Sequence, residues 1–129
     1  MAEPNRSGSP WPARAVAGLA ILLGVAFILA GSGKLSDPAA AAEGFARFGL
    51  PGWLAVVVGA SEVAGGIGLW IPRLSPWAAA GLLVIMIGAA VSHLLIDPFS
   101  AALPALVMGG LCALIAVVRR PQAVGPRTS

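Results

Sequence analysis

Four long stretches with at most one charged residue each restrict the folds open to this chain more than any other feature. They run from Ala15 to Gly33, from Phe48 to Pro72, from Leu74 to Ile96 and from Pro98 to Val118. Each has about the 20 residues that an α-helix needs to cross the hydrocarbon core of a bilayer. The sequence therefore predicts four membrane-spanning helices.

The overall composition supports a membrane protein and argues against a water-soluble one. Of the 129 residues, 58% are hydrophobic and 10% are charged, whereas soluble domains carry about 25% charged residues. The formal net charge is +3, but the basic residues are scattered at segment ends and form no basic face. We therefore expect the lipid bilayer as a partner and no nucleic acid.

The connections between the apolar stretches predict how the helices are arranged. Those around Pro72-Arg73 and Asp97-Pro98 are short, so consecutive spans must be antiparallel neighbours. The first loop is longer and carries a helix-start signal, with Ser36 or Asp37 as the cap. We predict an all-α fold, a transmembrane four-helix up-down bundle with a short interfacial helix in the first loop. That short helix is either a plain linker or a lid.

The distribution of basic residues predicts the orientation in the membrane. Six of the eight lie in the two termini and the second loop, and only Lys34 and Arg47 lie on the other side. By the positive-inside rule both termini are cytoplasmic, in a multi-pass protein of the cell membrane. Residues 13–120 form the membrane domain, and 1–12 and 121–129 are predicted disordered cytoplasmic tails. A cleaved signal peptide is the alternative for the first span, but its apolar run is longer than the usual h-region.

Glu62 is the one carboxylate within an apolar span. It lies eleven residues from both Pro51 and Arg73, which is about 16 Å from either boundary and close to the bilayer midplane. An acid there costs about 2.5–3.5 kcal/mol on insertion scales, so it should face the bundle interior. Small residues within one helical turn would let a neighbouring helix approach this face. They are Gly59, Gly65 and Gly66.

The surroundings of Glu62 decide what the carboxyl can do. If the helices are ideal, the part of the first span that lies at the same depth as Glu62 is near Gly24. No basic residue is expected at that depth. Burial without a cation would favour the neutral acid. Such a group suits proton transfer or ligand anchoring, or it forms an interhelical hydrogen bond that only fixes packing.

Two further polar residues lie toward the outer ends of the spans. His93 is near the end of the third span, about 12 Å shallower than Glu62, and Lys34 ends the first. With Asp97 they could form an outer polar cluster connected to Glu62 by a water-filled cleft. The alternatives are an interfacial histidine and a lysine that extends to the lipid headgroups. One histidine and one cysteine, Cys112, predict neither a metal site nor a redox pair, and Cys112 is expected to be a buried apolar residue.

The order of these motifs resembles the DoxX-like family of small four-helix membrane proteins. The resemblance rests on AGSGKLSDP at the end of the first span, on FARFGLPGW before the second, on EVAGG from Glu62 to Gly66, and on the histidine of IGAAVSHL. It implies a four-helix fold in which Lys34, Glu62 and His93 are the matching polar positions. The family takes its name from a subunit associated with a thiosulfate:quinone oxidoreductase and a terminal quinol oxidase.

Two functions follow as expectations, with a third that is weaker. The chain is an accessory subunit of a membrane redox complex that contacts a quinone through a Glu62-centred site, and it is not catalytic alone. Alternatively it is an assembly or scaffolding factor, or a carrier of a hydrophobic or protonatable solute. A quinone site requires a cleft near Lys34, Glu62 and His93, whereas an assembly factor requires a glycine-rich groove on the outside of the bundle.

Overall fold

The computed structural model describes residues 12–120, which fold into helices joined by short turns. The predicted tails, 1–12 and 121–129, lie outside the described residues except for Pro12. Four helical segments are long and apolar enough to cross a membrane, which confirms the predicted all-α, four-span fold; the fourth, Phe99–Val118, includes a 3-10 helix. The helices are α1 (Ala13–Ser36), α2 (Pro38–Ala46), α3 (Gly52–Leu69), α4 (Ser75–Ile96) and α5 (Leu103–Val118), with a 3-10 helix (Phe99–Ala102) before α5.

The short helix predicted in the first loop is present as α2. The carboxylate of Asp37 accepts a hydrogen bond of 3.2 Å from the backbone N–H of Ala40, and Pro38 occupies the first turn. Asp37, rather than Ser36, is therefore the cap. Gly49 has φ +76°, a left-handed conformation that lets the chain turn back into α3 at low steric cost.

Two predicted boundaries differ from the structure, and proline explains both. The second apolar stretch begins at Phe48, but residues before Pro51 form the turn that precedes α3. The fourth stretch begins at Pro98, but its first residues form the 3-10 helix, and α5 has Pro104 in its first turn. Proline lacks a backbone N–H, so it fits the first turn of a helix and not its interior.

The helices pack as two antiparallel pairs. α1 packs along α3 and α4 packs along α5, while the contact between α3 and α4 is smaller and α1 approaches α5 at few positions. α2 lies against the start of α3, where Ala42 contacts Gly52. We call the end of the bundle that carries α2 the α2 end.

The core is built from apolar side chains of α1, α3, α4 and α5. Cys112 is fully buried in it, which confirms that it packs as an apolar residue. Large apolar side chains on the outside remain exposed, as expected for helix faces that contact lipid. The core residues are Ala20, Leu23, Phe27, Leu69, Ala79, Leu82, Met86, Ala90, Ala105, Cys112 and Ile115.

Candidate functional site

Two pairs of glycines bring α1 and α3 into close contact. Gly24 and Gly31 are seven residues apart on α1, and Gly66 and Gly59 have the same spacing on α3. A methyl group added at Gly66 would lie 2.7 Å from the carbonyl oxygen of Gly24, and one at Gly59 would lie 3.1 Å from that of Gly31. Because no larger side chain fits at these contacts, the glycines fix the register of the two helices.

This register brings Lys34 and Glu62 together. Each lies three residues beyond the contact between Gly31 and Gly59, on opposite sides of it, so their backbones are about 9 Å apart along the helix axes. Side chains in an α-helix tilt toward the N-terminus of that helix. Since α1 and α3 are antiparallel, the two side chains tilt toward each other, and Lys34 Nζ donates a hydrogen bond of 2.9 Å to Glu62 Oε1.

The ion pair is buried on one side only. Glu62 is 3% exposed and therefore faces the interior, as its position predicts. The Lys34 side chain keeps 28% of its surface exposed. The pair thus joins a carboxylate enclosed between helices to a lysine side chain that is still partly accessible.

The expectation that no basic residue lies at the depth of Glu62 is wrong for the Lys34 side chain, which reaches the carboxylate, and the alternative that Lys34 extends to the headgroups is wrong as well. The glycine contacts place Glu62 level with Ile28, one helical turn closer to Lys34 than the predicted level of Gly24. The long lysine side chain covers the remaining distance. Glu62 is therefore paired with a cation.

A second polar group lies at the α2 end, and we call it the Asp97 network. Its members are Arg47, Phe48, His93 and Asp97. Arg47 donates a hydrogen bond to Asp97 Oδ1, and His93 Nδ1 lies 2.8 Å from Asp97 Oδ2. Phe48 contacts the His93 ring edge-on at 5.2 Å, and the Arg47 guanidinium lies 5.0 Å from the Phe48 ring. The network joins the turn before α3 to the end of α4.

The predicted outer cluster of Lys34, His93 and Asp97 is thus divided in two. His93 and Asp97 do bond to each other, but Lys34 bonds to Glu62 instead. Sequence reasoning missed Arg47 as a partner, because contacts between a loop and a distant helix end have no local pattern. The i, i+4 spacing of His93 and Asp97 was the available signal for their bond.

The three predicted packing glycines contact different helices. Gly59 and Gly66 lie against α1, as described, whereas a methyl group at Gly65 would lie 2.8 Å from Leu82 of α4. Gly65 also lines a cleft of about 460 Å³ between α3 and α4. A second cleft, of about 330 Å³, lies between α4 and α5. Neither of these two clefts is lined by Lys34, Glu62 or His93.

Polar contacts also join the helices at the end opposite α2. The Trp70 indole N–H donates to the carbonyl oxygen of Ile21 at 3.1 Å, which joins α3 to α1. Arg119, just beyond α5, donates to the carbonyl oxygen of Leu69 at 3.4 Å. Burial lowers the pKa of Arg119 from its usual value. The Arg119 contact satisfies a backbone carbonyl at the end of α3.

Within residues 12–120, no three His, Cys, Asp or Glu side chains are grouped so as to hold a metal ion. The polar chemistry of the described residues therefore consists of ion pairs and hydrogen bonds. Lys34 offers N–H donors, and His93 offers a ring nitrogen.

The fold and the buried ion pair define a class, a small four-span helical membrane protein with a charged contact between its first two spans. The sequence model of the DoxX-like family matches residues 18–124, which is most of the chain. The chain belongs to the DoxX-like family. Neither a curated protein nor a solved structure gives a significant match.

Proposed function

We propose that this protein is an accessory subunit of a quinone-linked membrane redox complex and is not catalytic alone. The observation that carries the proposal is the Lys34–Glu62 pair, a charged contact within the membrane domain whose lysine is still 28% exposed. A charged pair in lipid is costly to keep, and charged residues within spans typically mark functional positions. Membership of the DoxX-like family supports a membrane partner.

The chemistry of the site suits a ligand or partner that accepts hydrogen bonds. The Lys34 ammonium has three N–H groups, of which one bonds Glu62. The others can donate to a carbonyl oxygen, such as that of a quinone head group. Because neither of the two clefts is lined by Lys34, Glu62 or His93, such a ligand would contact the exposed part of the Lys34 side chain at the bundle surface and not the predicted cleft. One histidine and one cysteine in 129 residues offer no paired ligands for haem or an iron–sulfur cluster. Electron transfer would therefore take place in a partner subunit.

We also propose the membrane arrangement predicted from the sequence. Residues 13–120 form a single domain in the cell membrane, with both termini on the cytoplasmic side. Arg73, Arg119 and Arg120 support this orientation, because all three lie at the end opposite α2.

Purification of tagged protein from native membranes in mild detergent tests the function. Co-purifying proteins are identified by mass spectrometry, and quinones are extracted from the same sample and quantified. We expect a redox enzyme subunit and a quinone to be retained by the wild-type protein. The proposal fails if neither is enriched over a control purification of an unrelated four-span protein.

A charge-swapped variant separates a ligand role of the pair from a packing role. Lys34→Glu combined with Glu62→Lys keeps one charge of each sign but moves the ammonium to α3, where the native carboxylate is 3% exposed. We expect the swapped protein to fold but to lose the ligand or partner. Retention equal to wild type would reduce the pair to a structural contact. Glu62→Gln is likewise expected to keep the fold and lose the partner.

A second function, an assembly or scaffolding factor, is favoured by the cleft between α3 and α4. Its lining includes Ser61, Gly65 and Gly81, small residues that would let a transmembrane helix of a client protein approach closely. A methyl group at Gly81 would meet nothing within 4 Å, and the same is true of Gly88, which lines neither described cleft. Gly81→Val should therefore block client binding, whereas Gly88→Val should not. Equal binding by both variants would exclude this cleft as the docking surface.

A further inference from the structure

The chain has a single histidine, and the Asp97 network restrains it. His93 Nδ1 lies 2.8 Å from Asp97 Oδ2, and the other oxygen of the same carboxylate accepts a hydrogen bond from Arg47. An ionised carboxylate only accepts hydrogen bonds. The contact therefore requires a proton on Nδ1 of His93.

Asp97 remains ionised at neutral pH. The hydrogen bond from His93 is the largest cause that lowers the pKa of Asp97 from its usual value. Desolvation opposes it, and the charge and hydrogen bond of Arg47 lower the pKa further. Arg47 also fixes which oxygen faces the histidine, because it occupies Oδ1. The carboxylate is thus a permanent acceptor for Nδ1–H over the physiological range.

The second ring nitrogen of His93 is left without a proton in the neutral imidazole. A neutral imidazole carries one N–H, so a proton on Nδ1 leaves a lone pair on Nε2. No hydrogen bond found within residues 12–120 involves Nε2. Ser75 Oγ is the one buried side-chain polar atom of these residues that lacks a partner, so Nε2 is not fully buried. The Phe48 ring, edge-on at an interplanar angle of 85°, limits rotation of the imidazole.

We propose that His93 Nε2 is a proton-accepting site at the α2 end, available to O–H or N–H groups of a ligand, and that Asp97 is its positioning residue. The donor first forms a hydrogen bond to the Nε2 lone pair. Proton transfer then breaks the donor O–H or N–H bond and forms Nε2–H, which leaves the conjugate base of the donor beside an imidazolium whose Nδ1–H is bonded to the Asp97 carboxylate. The identity of the donor rests on the proposed function, because the reduced form of a quinone carries hydroxyl groups that could donate to Nε2. The proposed tautomer of His93 does not depend on that function.

Nitrogen-15 NMR of the full chain in lipid bicelles tests the tautomer directly, because only one histidine contributes. At a pH at which the ring is neutral, we expect the Nδ1 signal of a protonated nitrogen and the Nε2 signal of a lone-pair nitrogen. Asp97→Ala should abolish this preference, whereas Asp97→Asn should retain part of it, since an amide oxygen still accepts a hydrogen bond. Glu43→Ala removes an exposed carboxylate of α2 and should leave both signals unchanged.

Acylation by diethyl pyrocarbonate gives a second readout, because the unprotonated ring nitrogen is the nucleophile that attacks a carbonyl carbon of this reagent. We expect wild-type His93 to be acylated at Nε2 and the rate to fall several-fold in Asp97→Ala. A wild-type spectrum with the proton on Nε2, or an Asp97→Ala variant with the wild-type tautomer and rate, would overturn the proposal. If the tautomer is as expected but no quinone or redox partner is retained on purification, the redox function fails and the acceptor site stands.

Discussion

The stability of the bundle should depend on Lys34 and Glu62 as a pair. Lys34→Met leaves a carboxylate that is 3% exposed without its cation, and Glu62→Leu leaves the ammonium without its acceptor. Removing one member of a buried ion pair costs about 3–5 kcal/mol. Because 28% of the Lys34 side chain is exposed and can be partly hydrated, we expect Glu62→Leu to cost about 3 kcal/mol, the lower end of this range. Lys34→Met should cost more, since Glu62 has no such access.

The double variant, with methionine at position 34 and leucine at 62, supplies the matched comparison. It has no buried charge, and replacing a buried pair by apolar residues of similar volume is often neutral or stabilising. We expect it to unfold within about 1 kcal/mol of wild type, with a coupling energy of at least about 5 kcal/mol in the double-mutant cycle, because the two single losses together exceed about 6 kcal/mol. Such a result would show that the single losses arise from an unpaired charge and not from altered packing.

Titration with a denaturing detergent in mixed micelles measures these free energies, with tryptophan fluorescence as the signal. Trp70 is a suitable reporter, because its indole donates to the backbone of α1 and separation of α1 from α3 breaks that bond. Additive single effects, with a coupling energy below about 0.5 kcal/mol, would refute the contribution of the pair to stability.

Three further predictions concern packing, pH and orientation. Gly31→Ala should destabilise the protein by about 1–3 kcal/mol, because its methyl group would collide with the backbone of Gly59. The control Gly33→Ala places a methyl group in open space, so it should be neutral or slightly stabilising in the same titration. The pKa of Asp97 is lower in the folded state than the value of about 4 in the unfolded state, so the contribution of Asp97 to the free energy of unfolding should be complete above about pH 4. This contribution should be lost as pH falls through the lowered folded pKa. Curves of unfolding free energy against pH for wild type and Asp97→Asn should therefore converge only in strong acid. A reporter domain fused to either terminus should be found active on the cytoplasmic side of the membrane. Reporter activity on the opposite side would contradict the proposed orientation.

The helical architecture could be predicted from the sequence because it depends on local properties. Runs of apolar residues set the spans, Asp37 and Pro38 start α2, and short connections force antiparallel neighbours. The burial of Glu62 followed from the cost of a charge in lipid. Each of these depends on segment length or on a few adjacent residues, so no knowledge of helix register was needed.

The ion pair was missed because it depends on register between two helices. Counting from the ends of apolar runs placed Glu62 level with Gly24, about one helical turn from its observed level. The signal was nevertheless present, since Gly24 and Gly31 share their spacing of seven with Gly59 and Gly66. Aligning these glycines in antiparallel helices brings Lys34 and Glu62 within reach. By contrast, no sequence pattern links Arg47 to Asp97, which are 50 residues apart.

The most direct test of the Lys34–Glu62 contact is a nitrogen–carbon distance in a lipid bilayer. Solid-state NMR of protein labelled at lysine Nζ and glutamate Cδ is well suited, because the sequence has few labelled positions. Lys34 is the only lysine of the sequence, and Glu3 and Glu43 are its only glutamates besides Glu62. We expect strong dipolar dephasing of the Lys34 Nζ signal by Glu62 Cδ, because Nζ lies 2.9 Å from Oε1 of the same carboxylate. This dephasing should disappear in Glu62→Gln. Absence of dephasing in the wild-type protein, with the lysine signal that of a hydrated free ammonium, would contradict the account.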